Sequence, residues 1–232
     1  LQLPDYQGGQ DLVGAWDPST GQFRVNYPAT MNDLQFLTGP AVADVDGGGG
    51  EEVLAGSSSA AFAAYGTAGL PLDGWPKLST DWTVATPLVG SFGTLDTDAA
   101  ARKVVVGVVR SGYVHAYKTG APACSPSSSP RFHHDNANSG DYSRDAVLPG
   151  APMSVAPNDD RTKVRFDAPG DDALCGTADH YELATADEAI DSAGFAGAKP
   201  IKTKLAPDPV APGERQSFEV PESSKRFLAV RA

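Results

Sequence analysis

Long apolar runs are missing from this chain: no stretch approaches the roughly 20 residues that a membrane span requires. Basic residues are scarce. Lys and Arg number 18 against 29 Asp and Glu, for a net charge of −11. They form no cluster, which argues against a nucleic-acid or anionic-membrane role. Catalytic signatures are missing too. There is no Gly-x-Ser-x-Gly, no His-Glu-x-x-His and no Gly-x-x-x-x-Gly-Lys-Ser/Thr, and neither cysteine sits in a nucleophile setting, so no catalytic residue is assigned. No window holds a sustained helical apolar period, and little helix is expected. Cysteine occurs only twice, at Cys124 and Cys175, too far apart for a CxxC motif. The pair reads either as an extracellular disulfide linking the end of the first region to the next or as two free thiols. No signal peptide is visible. The chain opens at Leu1 on a strand-and-turn pattern, as expected of a processed precursor or an internal fragment.

What is present is glycine (25) and proline (19), in amounts that suit short strands joined by turns, and a repeat. A unit recurs at about 50-residue spacing. Ala15-Trp16, Ala64-Tyr65 and Ala116-Tyr117 each end a β-like run and lead into a turn. Tyr27-Pro28 and Trp75-Pro76 follow the first two, with Ser129-Pro130 as a worn third copy. Gly39-Pro-Ala-Val-Ala-Asp44 matches Thr86-Pro-Leu-Val-Gly-Ser91, and Glu52-Val-Leu-Ala-Gly56 matches Lys103-Val-Val-Val-Gly107. Repeats of this length imply an all-β fold and a β-propeller, of which residues 1–122 supply about two and a half blades, whereas closure takes about four to eight. Strands are predicted at 12–16, 23–26, 41–45, 52–57, 60–65, 87–92, 103–110 and 113–117.

Residues 123–150 change character: Ser125–Pro130 is linker-like and a polar, irregular stretch follows it. From 151 to 232 strands return, at 153–156, 162–167, 180–184, 201–205, 216–220 and 227–231. That spacing fits a small β-sandwich. The chain stops after the 227–231 run, so the sandwich is expected to lack its last strand and to leave an open edge. With an incomplete propeller as well, a partner is expected: another polypeptide or a missing N-terminal region that supplies the remaining blades.

These residues bring known families into view. Pro40-Ala-Val-Ala-Asp-Val-Asp-Gly-Gly-Gly-Gly-Glu-Glu-Val-Leu-Ala-Gly-Ser57 resembles the FG-GAP, or VCBS-type, repeat of integrin-like β-propellers. With Ala64-Tyr65 and Gly74-Trp-Pro76, the blades look like those of secreted bacterial proteins. Pro130-Arg-Phe-His-His-Asp-Asn-Ala-Asn-Ser-Gly-Asp-Tyr142 is similar to the tail that closes many such propellers. The segment from Ala151 resembles a fibronectin type III domain, with Val164-Arg-Phe-Asp-Ala-Pro169 as its second strand and 227–232 as its penultimate one. The resemblance implies a secreted, extracellular protein and fixes no single activity.

The FG-GAP loop pattern, Asp-x-Asp-Gly-Asp-Gly-x-x-Asp/Glu, wraps a hard cation with oxygen ligands, and its glycines permit the sharp turn. Here Asp44, Asp46 and Glu52 match, the Gly50 carbonyl would be the backbone ligand, and Gly48 stands where the third Asp belongs. The loop therefore reads as a calcium site short of one ligand, or as a glycine-rich turn that has lost its ion. The second copy, residues 91–98, lacks the first carboxylates and is expected to be empty. His133-His134-Asp135 is the one cluster of metal-type or acid–base side chains. Neighbours on a strand point to opposite faces, so both imidazoles rarely bind one ion; the resemblance to a closing tail implies a structural role, against which stand zinc binding, catalysis, or His133 and His134 as ligand-facing groups. Trp16 and Trp75 sit at repeat-equivalent positions and read as packing between blades. Trp82 has no counterpart and is the aromatic expected to face a ligand.

Two functions remain. One is a non-catalytic, calcium-stabilised binding or scaffolding module, with a carbohydrate or protein as ligand. The other is an accessory portion of a secreted hydrolase or lyase, acting on peptides or polysaccharides, whose catalytic residues lie elsewhere.

Overall fold

A computed structural model describes residues 11–33, 39–91, 101–145 and 147–232. The chain divides into two compact units, Leu1–Ala146 and Val147–Ala232. Every sheet among the described residues is antiparallel, and none closes on itself. Among the described residues helix is confined to two short 3₁₀ turns, Phe195–Gly197 and Thr203–Leu205, and no helix there is long and apolar enough to cross a membrane.

The described residues of the first unit form three small sheets. The first pairs β1 (Asp11–Val13) with β2 (Ala29–Met31). The second runs β3 (Ala41–Ala43), β4 (Glu52–Gly56), β5 (Ala61–Tyr65) and β6 (Lys77–Leu78) in sequence order. The third runs β7 (Leu88–Gly90), β8 (Arg102–Val108) and β9 (Val114–Pro122). Short β-branched and small apolar runs between Gly and Pro turns give strands of this length. The sheets pack through their faces. Val13, Tyr27, Ala29 and Met31 meet Ala55 and Tyr65 in one cluster. Ala41, Ala43, Leu54 and Ala64 meet Val89 and Val105 in the next, with Trp75 packed against them. Phe62 fills the space over Gly107, where a Cβ would come within 1.9 Å of the ring.

Two expectations for this unit need correction. Residues 23–26 form no strand: Phe23 makes a single bridge to Trp16, and the chain turns at Asn26, whose φ of 58° is left-handed. The strand follows Tyr27-Pro28 instead. Ser129-Pro130 is no third copy of the aromatic-Pro pair. Ser129 pairs with Val42 on the open edge of β3, through N–H···O bonds of 2.8 and 3.0 Å in both directions. The segment after β9 thus straps the second and third sheets, and Val89 donates to the Pro130 carbonyl at 2.8 Å.

The second unit consists of two three-stranded sheets. One orders β10 (Met153–Pro157), β11 (Lys163–Asp167) and β14 (Arg215–Glu219). The other orders β13 (Lys199–Pro200), β12 (Glu182–Ala186) and β15 (Phe227–Arg231). Val164, Phe166 and Phe218 from the first sheet share a core with Tyr181 and Leu183, and Leu228 and Val230 pack against it. The Phe166 and Tyr181 rings meet edge to face, 5.1 Å between centroids. The strand expected at 201–205 is absent. Ile201 makes its ladder bond to Leu183, and the chain then turns tightly, with Leu205 donating to Lys202. β15 is paired only with β12 among the described strands, so its other edge is open.

Candidate metal-binding loop and its surroundings

The turn from β3 to β4 folds around its own carboxylates. Asp44 follows the last residue of β3 and Glu52 opens β4; both are buried, and Asp46 is exposed. One oxygen from each of the three lies within 4.8 Å of the others. The backbone supports them. Gly47 and Gly49 donate to Oδ1 and Oδ2 of Asp44 at 2.7 and 3.1 Å. Gly48 donates to Asp46 Oδ1 at 2.6 Å, and Val45 to Glu52 Oε2 at 2.8 Å. Gly47 and Gly49 have φ of 89° and 80°, a conformation open chiefly to glycine. Gly48 leaves no space to spare either: a Cβ there would lie 2.9 Å from Asp46 Oδ1. Gly50 continues the loop, half-buried, against Thr67.

An all-oxygen donor set of three convergent carboxylates, two of them shielded from water, suits a hard divalent cation. Asp44, Asp46, Gly50 and Glu52, singled out by the resemblance to the FG-GAP loop pattern, share one loop, and the three carboxylates among them come together. The second copy falls from residue 92 onward outside the described residues.

Burial raises the pKa of Glu52 above its ordinary 4.5, the bond from Val45 opposes the rise, and Asp46 and Asp44 add to it. A carboxylate whose pKa is higher in the folded state binds its proton more tightly there. Without metal, stability therefore falls as pH rises from about 4.5 through the raised value, and the fall ends above it. Glu52→Gln is expected to remove this pH-dependent component, which urea unfolding at a series of pH values in chelator measures.

Beside the loop lies a group the sequence did not single out. Lys103 on β8 is only 2% exposed. Its ammonium donates to the Pro126 carbonyl at 2.5 Å, and also to the Ser125 carbonyl and Ser127 Oγ. Burial lowers its pKa, while Asp44, Glu51 and Glu52 pull it back up. The same strap is tied to the loop directly: Asp44 N–H donates to the Pro126 carbonyl at 2.9 Å, and Ser128 N–H donates to Glu51 Oε1.

The other singled-out residues lie elsewhere. His134 is buried and turned inward, so it does not face a ligand. Its Nδ1 lies 2.9 Å from the Ser128 carbonyl and its Nε2 lies 2.8 Å from the Arg144 carbonyl. His133 is exposed, stacks on Phe132 at 3.7 Å, and lines a cleft of about 450 Å³ with Arg131 and Tyr142. Trp82 is partly exposed, with the Arg110 guanidinium 5.0 Å from its ring. Trp75 packs as expected, but Trp16 is 56% exposed. Both cysteines are disulfide-bonded and no free thiol remains, which resolves the alternative in favour of the bonded pair. No protein-family model, curated protein or solved structure matches the chain.

Proposed function

We propose that this chain is a non-catalytic binding or scaffolding module of an extracellular protein, stabilised by calcium. In this reading the first unit is a set of FG-GAP-like propeller blades that other blades complete, and the second is a fibronectin type III-like sandwich. The observation that carries the reading is the meeting of Asp44, Asp46 and Glu52 in a turn whose backbone N–H groups bond all three. Calcium there would link β3, β4 and, through the Asp44 backbone, the strap that crosses to the third sheet. The bonded cysteine pair favours an oxidising compartment. The ligand is a carbohydrate or a protein, carried on surfaces that the calcium loop holds in shape.

The test is thermal melting of the full chain in calcium and in chelator. Ligand bound only by the folded state stabilises it by about 2.7 kcal/mol at a hundredfold excess over Kd. Wild type is expected to melt higher in calcium and Asp46→Ala to melt alike in both. Equal melting of wild type in the two buffers overturns the proposal.

A further inference from the structure

We propose that the cleft beside the strap binds a sugar unit that carries a single carboxylate, a uronic acid set in an otherwise neutral glycan. The inference rests on the reading of the chain as a binding module, and it adds the site and the ligand class. The cleft is lined by residues of the first unit alone and encloses about 450 Å³, within the range of about 300–1,000 Å³ that small ligands occupy. Its chemistry departs from that of the rest of the chain. No Asp or Glu lines it, although the chain carries 29 of them, and Arg131 is its permanent cation.

Arg131 supplies the group that meets an acid. Its Nη1 donates to Asn136 Oδ1. Its Nε is buried without a hydrogen-bond partner, and no ion pair among the described residues involves it. Nε and Nη2 form the edge of the guanidinium that matches the two oxygens of a carboxylate. Asn136 occupies the other side and leaves that edge to a ligand. The carboxylates nearest in sequence are committed elsewhere: Asp135 accepts from Ser139, and Asp141 from Ser143.

The aromatic wall is held in place from beneath. His134 is buried, with its ring nitrogens 2.9 and 2.8 Å from the Ser128 and Arg144 carbonyls. His133 and His134 have φ of 54° and 70°, a conformation that residues other than glycine adopt rarely. The turn lays the exposed His133 ring flat on exposed Phe132, with the planes 19° apart. Tyr142, 69% exposed, packs against His134 at 5.0 Å. Ring faces are electronegative, so they receive the C–H face of a pyranose. Ser128 and Ser129, which also line the cleft, bring hydroxyls for those of the sugar.

The backbone argues against a peptide. Ser129 already pairs with Val42 of β3 in both directions, and the Pro130 carbonyl accepts from Val89 of β7. An added strand therefore finds no free ladder on those edges, whereas a sugar needs only ring faces and polar side chains. One arginine matches one acid group, and a net charge of −11 repels a polyanion. Both limit the ligand to an isolated uronate.

Calorimetric titration of the full chain with a disaccharide of glucuronic acid and a neutral pentose tests this, in chelator so that calcium cannot bridge the carboxylates. Binding is expected, and the methyl ester of the same disaccharide is expected to bind about tenfold or more weakly. Arg131→Gln is expected to lose the same factor for the acid while binding the ester as wild type does. Phe132→Ala, at an exposed position, is expected to weaken both ligands about tenfold. Melting curves check that each variant folds, and if Arg131→Gln does not, the ester on wild type and Phe132→Ala decide. No binding by wild type, equal binding of acid and ester, or full binding by either folded variant overturns the inference. So does tighter binding of an acetylated tripeptide with a free C-terminal carboxylate, or of a trimer of galacturonic acid. Absence of binding beside a calcium shift in melting overturns the cleft and leaves the calcium-stabilised module standing. Binding without a calcium shift does the reverse.

Discussion

Lys103→Met is expected to lower the unfolding free energy by about 3–5 kcal/mol, the usual cost of removing one partner from a buried charged network. The methionine fills most of the space of the lysine stem but donates nothing. The carbonyls of Ser125 and Pro126 lose their shared donor, and Asp44, Glu51 and Glu52 lose the cation that offsets their mutual repulsion. The strap then loosens from β8, and its pairing of Ser129 with Val42 is the next contact at risk. Chemical denaturation in chelator measures the loss. Adding Glu52→Gln to Lys103→Met is expected to recover part of it, because the orphaned negative charge goes with the side chain. Strict additivity of the two substitutions would show that lysine and carboxylate do not interact.

How much of this was legible in the sequence follows from how local each feature is. β4 and β5 stand out as apolar runs between glycine- and serine-rich turns and are buried almost throughout, whereas a core face is read from alternation in β11, where Val164 and Phe166 are buried and Lys163 and Arg165 exposed. The carboxylates are legible because Asp44, Asp46 and Glu52 fall on positions of the FG-GAP loop pattern that this segment resembles. Lys103 is hidden because its partners lie 22 to 24 residues along the chain, and a lysine on a strand ordinarily reads as solvated. Register is hidden for a related reason. Matching Glu52-Val-Leu-Ala-Gly56 to Lys103-Val-Val-Val-Gly107 equates Leu54 with Val105, but the pairing equates Leu54 with Val106. β8 carries an irregularity between Arg102 and Val104, and a slip of one residue turns every side chain to the opposite face. A run of valines gives no pattern that would have revealed the slip. His134 was visible as part of a cluster, but its role depends on two backbone carbonyls, of Ser128 and Arg144, that composition does not encode.

Asp44→Ala is expected to do two separable things, and comparison with Asp46→Ala separates them. Asp44 is the hub of its loop: its two oxygens accept from Gly47 and Gly49, and its backbone N–H and carbonyl bind the strap at Pro126 and Ser125. Truncation leaves two loop N–H groups without their acceptor, at a cost of about 1–3 kcal/mol for each that stays buried. Glycines at φ of 89° and 80° have no reason to hold that conformation once the carboxylate is gone. Asp44→Ala should therefore melt lower than wild type even in chelator, and should show no calcium shift. Asp46 is exposed and accepts from one neighbour, Gly48, so Asp46→Ala should melt near wild type in chelator and lose only the calcium shift. Melting of both variants in both buffers gives four values to compare. If Asp44→Ala matched wild type in chelator, the carboxylate would not organise the loop. If Asp46→Ala kept the wild-type calcium shift, the cation would bind elsewhere on the chain.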